Sequence, residues 1–205
     1  MRVTCRRLTA ASVLVVVALG VAACGSSSSS STTSSTPTTT STAPAAAQVI
    51  GKSTSVVLNP ATAQILKASG ITVTPIAPAT AKKGLLVFPE SGGQIVVATL
   101  AGTIDHTGGL ALSHNGKSVQ LTNFVVNTAA KQITATVGGQ SVPIFNLNLA
   151  SVKRASGVNG TVLARNILLT LTSQAATVLS SSLEATIPNA GLPFGVATLT
   201  VAVKA

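Results

Sequence analysis

The chain has 205 residues, enough for one domain with appendages. It is 46% hydrophobic but only 8% charged, with no Trp and no Tyr, a mix that speaks against a helix bundle and for many short strands. The formal net charge is +10, yet the basic residues are scattered and there are no Tyr or Trp rings to stack bases, so nucleic acid is not an expected partner.

The first residues read as an address. Arg2, Arg6 and Arg7 form a positive start. Leu8 to Val21 is an apolar run shorter than the ~20 residues a spanning helix needs. Val21-Ala-Ala-Cys24 and Gly25 follow. This stretch resembles the lipobox of bacterial lipoproteins, an aliphatic residue and two small residues before a Cys. The resemblance implies that residues 1–23 are a signal peptide and are removed. It also implies that Cys24 is acylated and anchors the protein on the outer face of the bacterial membrane, in the periplasm or at the cell surface. Removal of the three leader arginines lowers the formal charge from +10 to 10 − 3 = +7. Cys5 leaves with the leader, so neither a disulfide nor a Cys-based metal site is expected. Residues 24–47 form the acylated Cys and a Ser/Thr/Pro tether with nothing to bury, expected to be disordered. Fully extended, such a tether reaches at most ~80 Å at about 3.5 Å per residue.

Residues 48–205 read as a single β-rich domain. Val49 to Leu58 is a strand. Asn59-Pro60 opens a short helix, with Asn as the cap and Pro at the first helical position, and Ser69-Gly70 closes it. Ile71 to Thr74 is extended, held to an edge by Pro75 and Pro78, and a loop follows from Ala79 to Gly84. Leu85 to Pro89 reads as a short strand, Glu90-Ser-Gly-Gly93 as a turn, and Gln94 to Thr107 as a long strand bent near Gly102. Gly108-Gly109 then reads as a turn into the strongest local signal in the chain, the Asn115-Gly116 hairpin. Folding there sets His114 opposite Lys117, Leu112 opposite Val119 and Leu110 opposite Leu121. A change of apolar parity between Leu121 and Phe124 places a bulge near Asn123. Gly138-Gly139 sets Ala135 opposite Val142 and Ile133 opposite Ile144, completing a five-strand antiparallel meander.

A polar loop spans Lys153 to Gly160, and Thr161 to Leu171 is a central strand. Thr172 or Ser173 caps a second helix ending near Ile187, and Gly195 to Val203 closes the chain. The fold class is therefore mainly β: an antiparallel β-sandwich or open barrel of nine or ten strands, with a central meander and two short helices.

Residues with catalytic chemistry are few: Glu90, Asp105 and Glu184 are the acids, and His106 and His114 the histidines. No Gly-x-Ser-x-Gly elbow, Ser-x-x-Lys pair, phosphate loop or dinucleotide fingerprint is present. Three isolated carboxylates do not make a calcium or glycosidase site. No catalytic or metal-ligating residue is assigned. Asp105, His106 and His114 are the candidate ligand-binding residues, since two histidines on one sheet face can hold a metal or a haem iron. Against that stands the plain reading of three polar residues near turns.

A second resemblance covers about Val73 to Val203. Gly102-Thr-Ile-Asp-His-Thr-Gly-Gly-Leu-Ala-Leu112, Val119-Gln-Leu-Thr-Asn-Phe124 and Ile133-Thr-Ala-Thr-Val137 look like the HtaA-type domains of bacterial surface haem-uptake proteins. The resemblance implies a β-rich, extracytoplasmic, surface-anchored domain. That family holds haem iron with a Tyr assisted by a His. This chain has no Tyr, so no ligand position carries over, and His106 is left as a remnant or a substitute. The expectation is a non-enzymatic, lipid-anchored binding or structural module of the envelope. It would meet the membrane through Cys24 and an envelope protein or polymer through its domain, and it has no cofactor. The alternative is a carrier of haem or another hydrophobic small molecule. An enzyme of unknown type ranks third.

Overall fold

The leading strand β1 (Ala47–Leu58) carries Val49, Thr54 and Val56 inward and is hydrogen-bonded on both edges. The computed structural model describes residues 45–187 and 190–204. The leader, Cys24 and the tether up to residue 44 lie outside the described residues. The folded part begins at Ala47, one residue before the boundary read from the sequence.

Helix α1 (Pro60–Ala68) starts as its sequence dictates, with the Asn59 side chain accepting from the Ala61 N–H at 2.9 Å. The edge strand β2 (Thr72–Ile76) follows, then β3 (Thr80–Lys82), a short strand where a loop was expected. β4 (Leu85–Val96) runs straight through Glu90-Ser-Gly-Gly93, so the expected turn there is a correction. The register slips between Glu90 and Gly92, a bulge rather than a reversal, and the chain turns only between Val96 and Ala101. β5 (Ala101–His106) is correspondingly shorter than the strand expected from Gln94.

A second correction concerns Gly108-Gly109. β5 and β6 (Gly109–His114) do not fold back on each other. They run in one direction along the same edge of β7 (Lys117–Asn127), β6 against its first half and β5 against its last three residues. The meander is therefore four strands: β6, β7, β8 (Gln132–Val137) and β9 (Gln140–Asn148). The Asn115-Gly116 turn has φ of 46° and 79°, and it sets the three expected pairs on either side. The bulge at Asn123 is present, with φ of 51° and a register shift between Thr122 and Val125. Ala135 faces Val142 as expected, but Ile133 faces Phe145, because the register shifts between Ile133 and Thr134 and both Ile144 and Phe145 turn to the core.

The remaining elements are β10 (Lys153–Ser156), a short strand inside the expected polar loop, β11 (Thr161–Leu171), α2 (Ser173–Leu183) and β12 (Pro193–Lys204). Thr172 caps α2 with its hydroxyl on the Ala175 N–H at 3.0 Å. The helix stops at Glu184, in the left-handed conformation, ahead of the expected end at Ile187.

Among the described residues, twelve strands form one antiparallel sheet. The path β7-β5-β4-β1-β12-β11-β9-β8 closes on itself through the β7–β8 pairing, giving an eight-stranded barrel. β2, β3, β6 and β10 are added to its edges. The choice left open between sandwich and open barrel thus resolves to a closed one, which leaves the eight barrel strands no continuous free edge. The described residues form one compact unit. Helices α1 and α2 lie toward the end of the barrel where β1 finishes, with Thr62 Oγ1 bonding the Pro193 carbonyl at 2.6 Å. All four Phe face the interior, as the pairs Phe88–Phe124 and Phe145–Phe194 with ring centroids 5.3 and 4.5 Å apart.

Candidate functional site

Strand parity sends Ile104 and His106 of β5 inward and Asp105 outward. The same rule turns Leu86, Phe88 and Glu90 of β4 inward. Glu90 and His106 are directly opposite in the β4–β5 register, so their side chains start as neighbours on the interior face. Thr54 joins them from β1, on the far side of β4. The three polar side chains are 9%, 4% and 6% exposed in the order Glu90, His106, Thr54, so they are as buried as the apolar core around them.

The histidine is fully employed. Its Nδ1 lies 3.2 Å from the Phe124 carbonyl, an acceptor only, so Nδ1 carries the proton. Nε2 is then the acceptor for the Thr54 hydroxyl at 2.7 Å. Burial lowers the His106 pKa from 6.5 to about 4, against the raising effects of the Phe124 and Ile104 backbone and of Asp105. Glu90 is the opposite case. Neither carboxyl oxygen has a hydrogen-bond partner, and burial raises its pKa from 4.5 to about 8. Between these two values both groups are neutral. The pair holds a proton and no net charge.

The interior has little room beside them. A space of about 30 Å³ is lined by Thr54, His106 and apolar side chains that include all four Phe. A second of about 30 Å³ lies toward the helices. Each takes one or two waters and no larger guest. A wider groove of about 550 Å³ lies on the surface beside α2, β7 and β8, where Gln120, Thr122, Thr136 and Ser182 give it a hydroxyl and amide lining.

His114 sits elsewhere. It lies eight residues further along the same run as His106, about 26 Å away at ~3.3 Å per residue if the run were fully extended. It is half-buried at the hairpin tip. Its Nδ1 donates to the carbonyl of Leu183 at 3.1 Å, and Asn115 Nδ2 donates to its Nε2 at 3.2 Å. Its register partner Lys117 meets Glu184 at 3.0 Å. The two residues flanking the Asn-Gly turn therefore clamp the last turn of α2, and this is what the hairpin tip does locally. Asp105 lies half-buried on the outer wall, over Gly92. Among the described residues no carboxylate is hydrogen-bonded to either histidine.

Of the three candidate ligand residues, then, the structure brings none together. It substitutes a cluster that was not anticipated: His106, Thr54 and Glu90. The signal for Glu90 was present as the alternation Leu86-x-Phe88-x-Glu90, overridden by the turn-like composition of Glu90-Ser-Gly-Gly93.

No protein-family model matches the sequence, and no curated protein matches it. Among solved structures, the chain is similar to the C-terminal domain of HtaA from Corynebacterium glutamicum. The TM-score is 0.58 at 11% identity, with 77% of this chain and 99% of that domain covered. At that identity the likeness concerns the fold alone: the β-barrel described above is similar to the fold of that domain.

Proposed function

We propose that the protein is a non-enzymatic, lipid-anchored module of the bacterial envelope that binds through the outside of its barrel. The observation that carries this reading is the filled interior. Spaces of about 30 Å³, and one of about 80 Å³ lined by Leu100, Thr128, Ala164, Ile167 and Leu199, are too small for a haem-sized guest and leave such binding to the surface. The lipobox at Val21-Ala-Ala-Cys24 supports the anchor. Two or three acyl chains, at ~0.8 kcal/mol per buried CH₂, hold a protein where one chain holds it only reversibly. Cys24→Ser is expected to abolish labelling by radioactive palmitate and to move the protein from the membrane to the soluble fraction. Continued labelling, or complete retention in membranes, overturns the anchor.

The HtaA-like fold favours a second reading, a haem carrier with His106 or His114 as ligand. His106 supports it poorly, since both ring nitrogens are bonded and the adjacent space is water-sized. Titration of the domain with haemin is expected to give no saturable Soret shift. A saturable shift that disappears in His114→Ala or His106→Ala, and not in both alike, promotes the carrier and names its ligand.

A further inference from the structure

Several turns and both ends of the described chain gather at the barrel end opposite the helices. β1 starts there, and Gln48 pairs with Lys204 near the end of β12. The turn after β4 lies beside them, since Ala47 pairs with Ile95. Arg154 of β10 donates to the carbonyl of Ala98 in that turn at 3.0 Å. The loop from β10 to β11 joins the group through the bond from Val203 N–H to the Gly160 carbonyl.

This end is basic. Of the ten Lys and Arg among the described residues, six lie in this half of the barrel: Lys52, Lys131, Lys153, Arg154, Arg165 and Lys204. All six are exposed, and Lys153 stands directly opposite Arg165. The acids over the same stretch are Asp105, half-buried on the wall, and Glu90, buried inside the barrel level with Lys52. At the helix end Lys117 is already paired with Glu184. Exposed apolar side chains occur at both ends, with Val57, Leu85 and Val196 at the helix end, but the most exposed is Val158 here, at 82% on the loop from β10 to β11, with Val97 at 38% on the turn after β4. Like charges set face to face, with bare valines at the loop ends, have no use within the fold.

We infer that this end docks on an anionic phospholipid surface, with Val158 and Val97 entering the headgroup layer and the basic residues facing lipid phosphates. The inference rests on the lipid-anchored reading. The chain enters the domain at Ala45–Ala47, at this same end, so the segment expected to be the tether joins the domain beside the charges. A leash of that length keeps the domain within ~80 Å of the bilayer, at an effective concentration where weak attraction is enough to orient it. Lys and Arg near an anionic leaflet act within a Debye length of about 10 Å, which suits a face held against the surface.

The test uses the chain from residue 24 onward carrying Cys24→Ser, so that acylation plays no part and failure of the anchor is scored separately. Sedimentation with vesicles of phosphatidylglycerol is expected to capture it at low salt, and vesicles of phosphatidylcholine are not. Lys153→Gln with Arg165→Gln and Lys204→Gln is expected to weaken capture on the order of 100-fold. Lys82→Gln with Lys83→Gln, at the other end, is expected to leave it unchanged. Val158→Ser is expected to weaken capture without altering its salt dependence. Absence of binding to phosphatidylglycerol overturns the inference, as does equal loss from the two sets of lysine variants. Binding to an anionic wall polymer but not to vesicles overturns it too, and assigns the face to that polymer.

Discussion

Stability of the domain is expected to be level from about pH 4.5 to 6.5 and then to fall by about 2 kcal/mol up to pH 8. Two buried groups of opposite sign produce this shape. The Glu90 carboxyl is raised from 4.5 to about 8, so its contribution is complete below pH 4.5 and is lost as pH rises to 8. The His106 imidazole is lowered from 6.5 to about 4, so its contribution is complete above pH 6.5 and is lost as pH falls to 4. Between 4.5 and 6.5 the two slopes cancel. Above 6.5, of these two groups, only Glu90 still binds protons differently in the folded and unfolded chain. Glu90→Gln removes the alkaline limb, leaving stability that rises to pH 6.5 and then holds. His106→Gln removes the acid limb, leaving a steady decline from 4.5 to 8. Urea midpoints followed by far-ultraviolet circular dichroism suit the measurement, because the chain has no Trp or Tyr to report by fluorescence. A parent midpoint that climbs between pH 6.5 and 8 sinks the assignment, as does an unchanged slope in Glu90→Gln.

The same two residues show where the sequence was legible. Local chemistry translated well. Asn59-Pro60 and Thr172 cap their helices as their side chains predict, and Asn115-Gly116 fixes a register correct to the residue. These features depend on atoms a few positions apart. What failed depends on a neighbouring strand. Glu90-Ser-Gly-Gly93 has the composition of a turn, yet it is a strand because β5 lies against it closely enough to require glycine. Gly108-Gly109 has the composition of a hairpin turn. There too a second chain segment is the reason: a Cβ on Gly109 would run into the Leu121 carbonyl of β7. Glycine marks both a reversal of the chain and a place where another backbone comes close, and composition does not separate the two. The consequence for the site was direct. Reading a turn at Glu90 put its carboxyl in water, whereas the strand puts it beside His106 in the core.

Gly102→Ala is expected to cost about 3 kcal/mol or more, and Gly93→Ala a similar amount, well beyond any other glycine-to-alanine change at an exposed turn. The two residues face each other's strands at the β4–β5 crossing, where Gly93 pairs with Ile104 and Gly102 with Ile95. A Cβ at Gly102 would stand 2.8 Å from the Ile95 Cα and overlap the Gln94 carbonyl. One at Gly93 would stand 2.9 Å from the Ile104 Cα and overlap the Thr103 carbonyl. These obstacles are backbone, so no side chain can swing aside, and relief means prising the strands apart. Gly102 also holds a φ of +150°, and Gly93 one of +119°, which L-residues seldom adopt. Gly116→Ala is the control. It has positive φ at the hairpin tip but nothing within 4 Å of the added carbon, so it should lose only the strain of its backbone, about 1 kcal/mol. Urea unfolding of the three variants at one pH separates the effects. If Gly102→Ala loses no more than Gly116→Ala, the strands do not approach as closely as described. If the large loss appears, the glycines are what allow β4 and β5 to coil tightly enough for an eight-stranded barrel to close, and with it the pocket that keeps Glu90 and His106 dry.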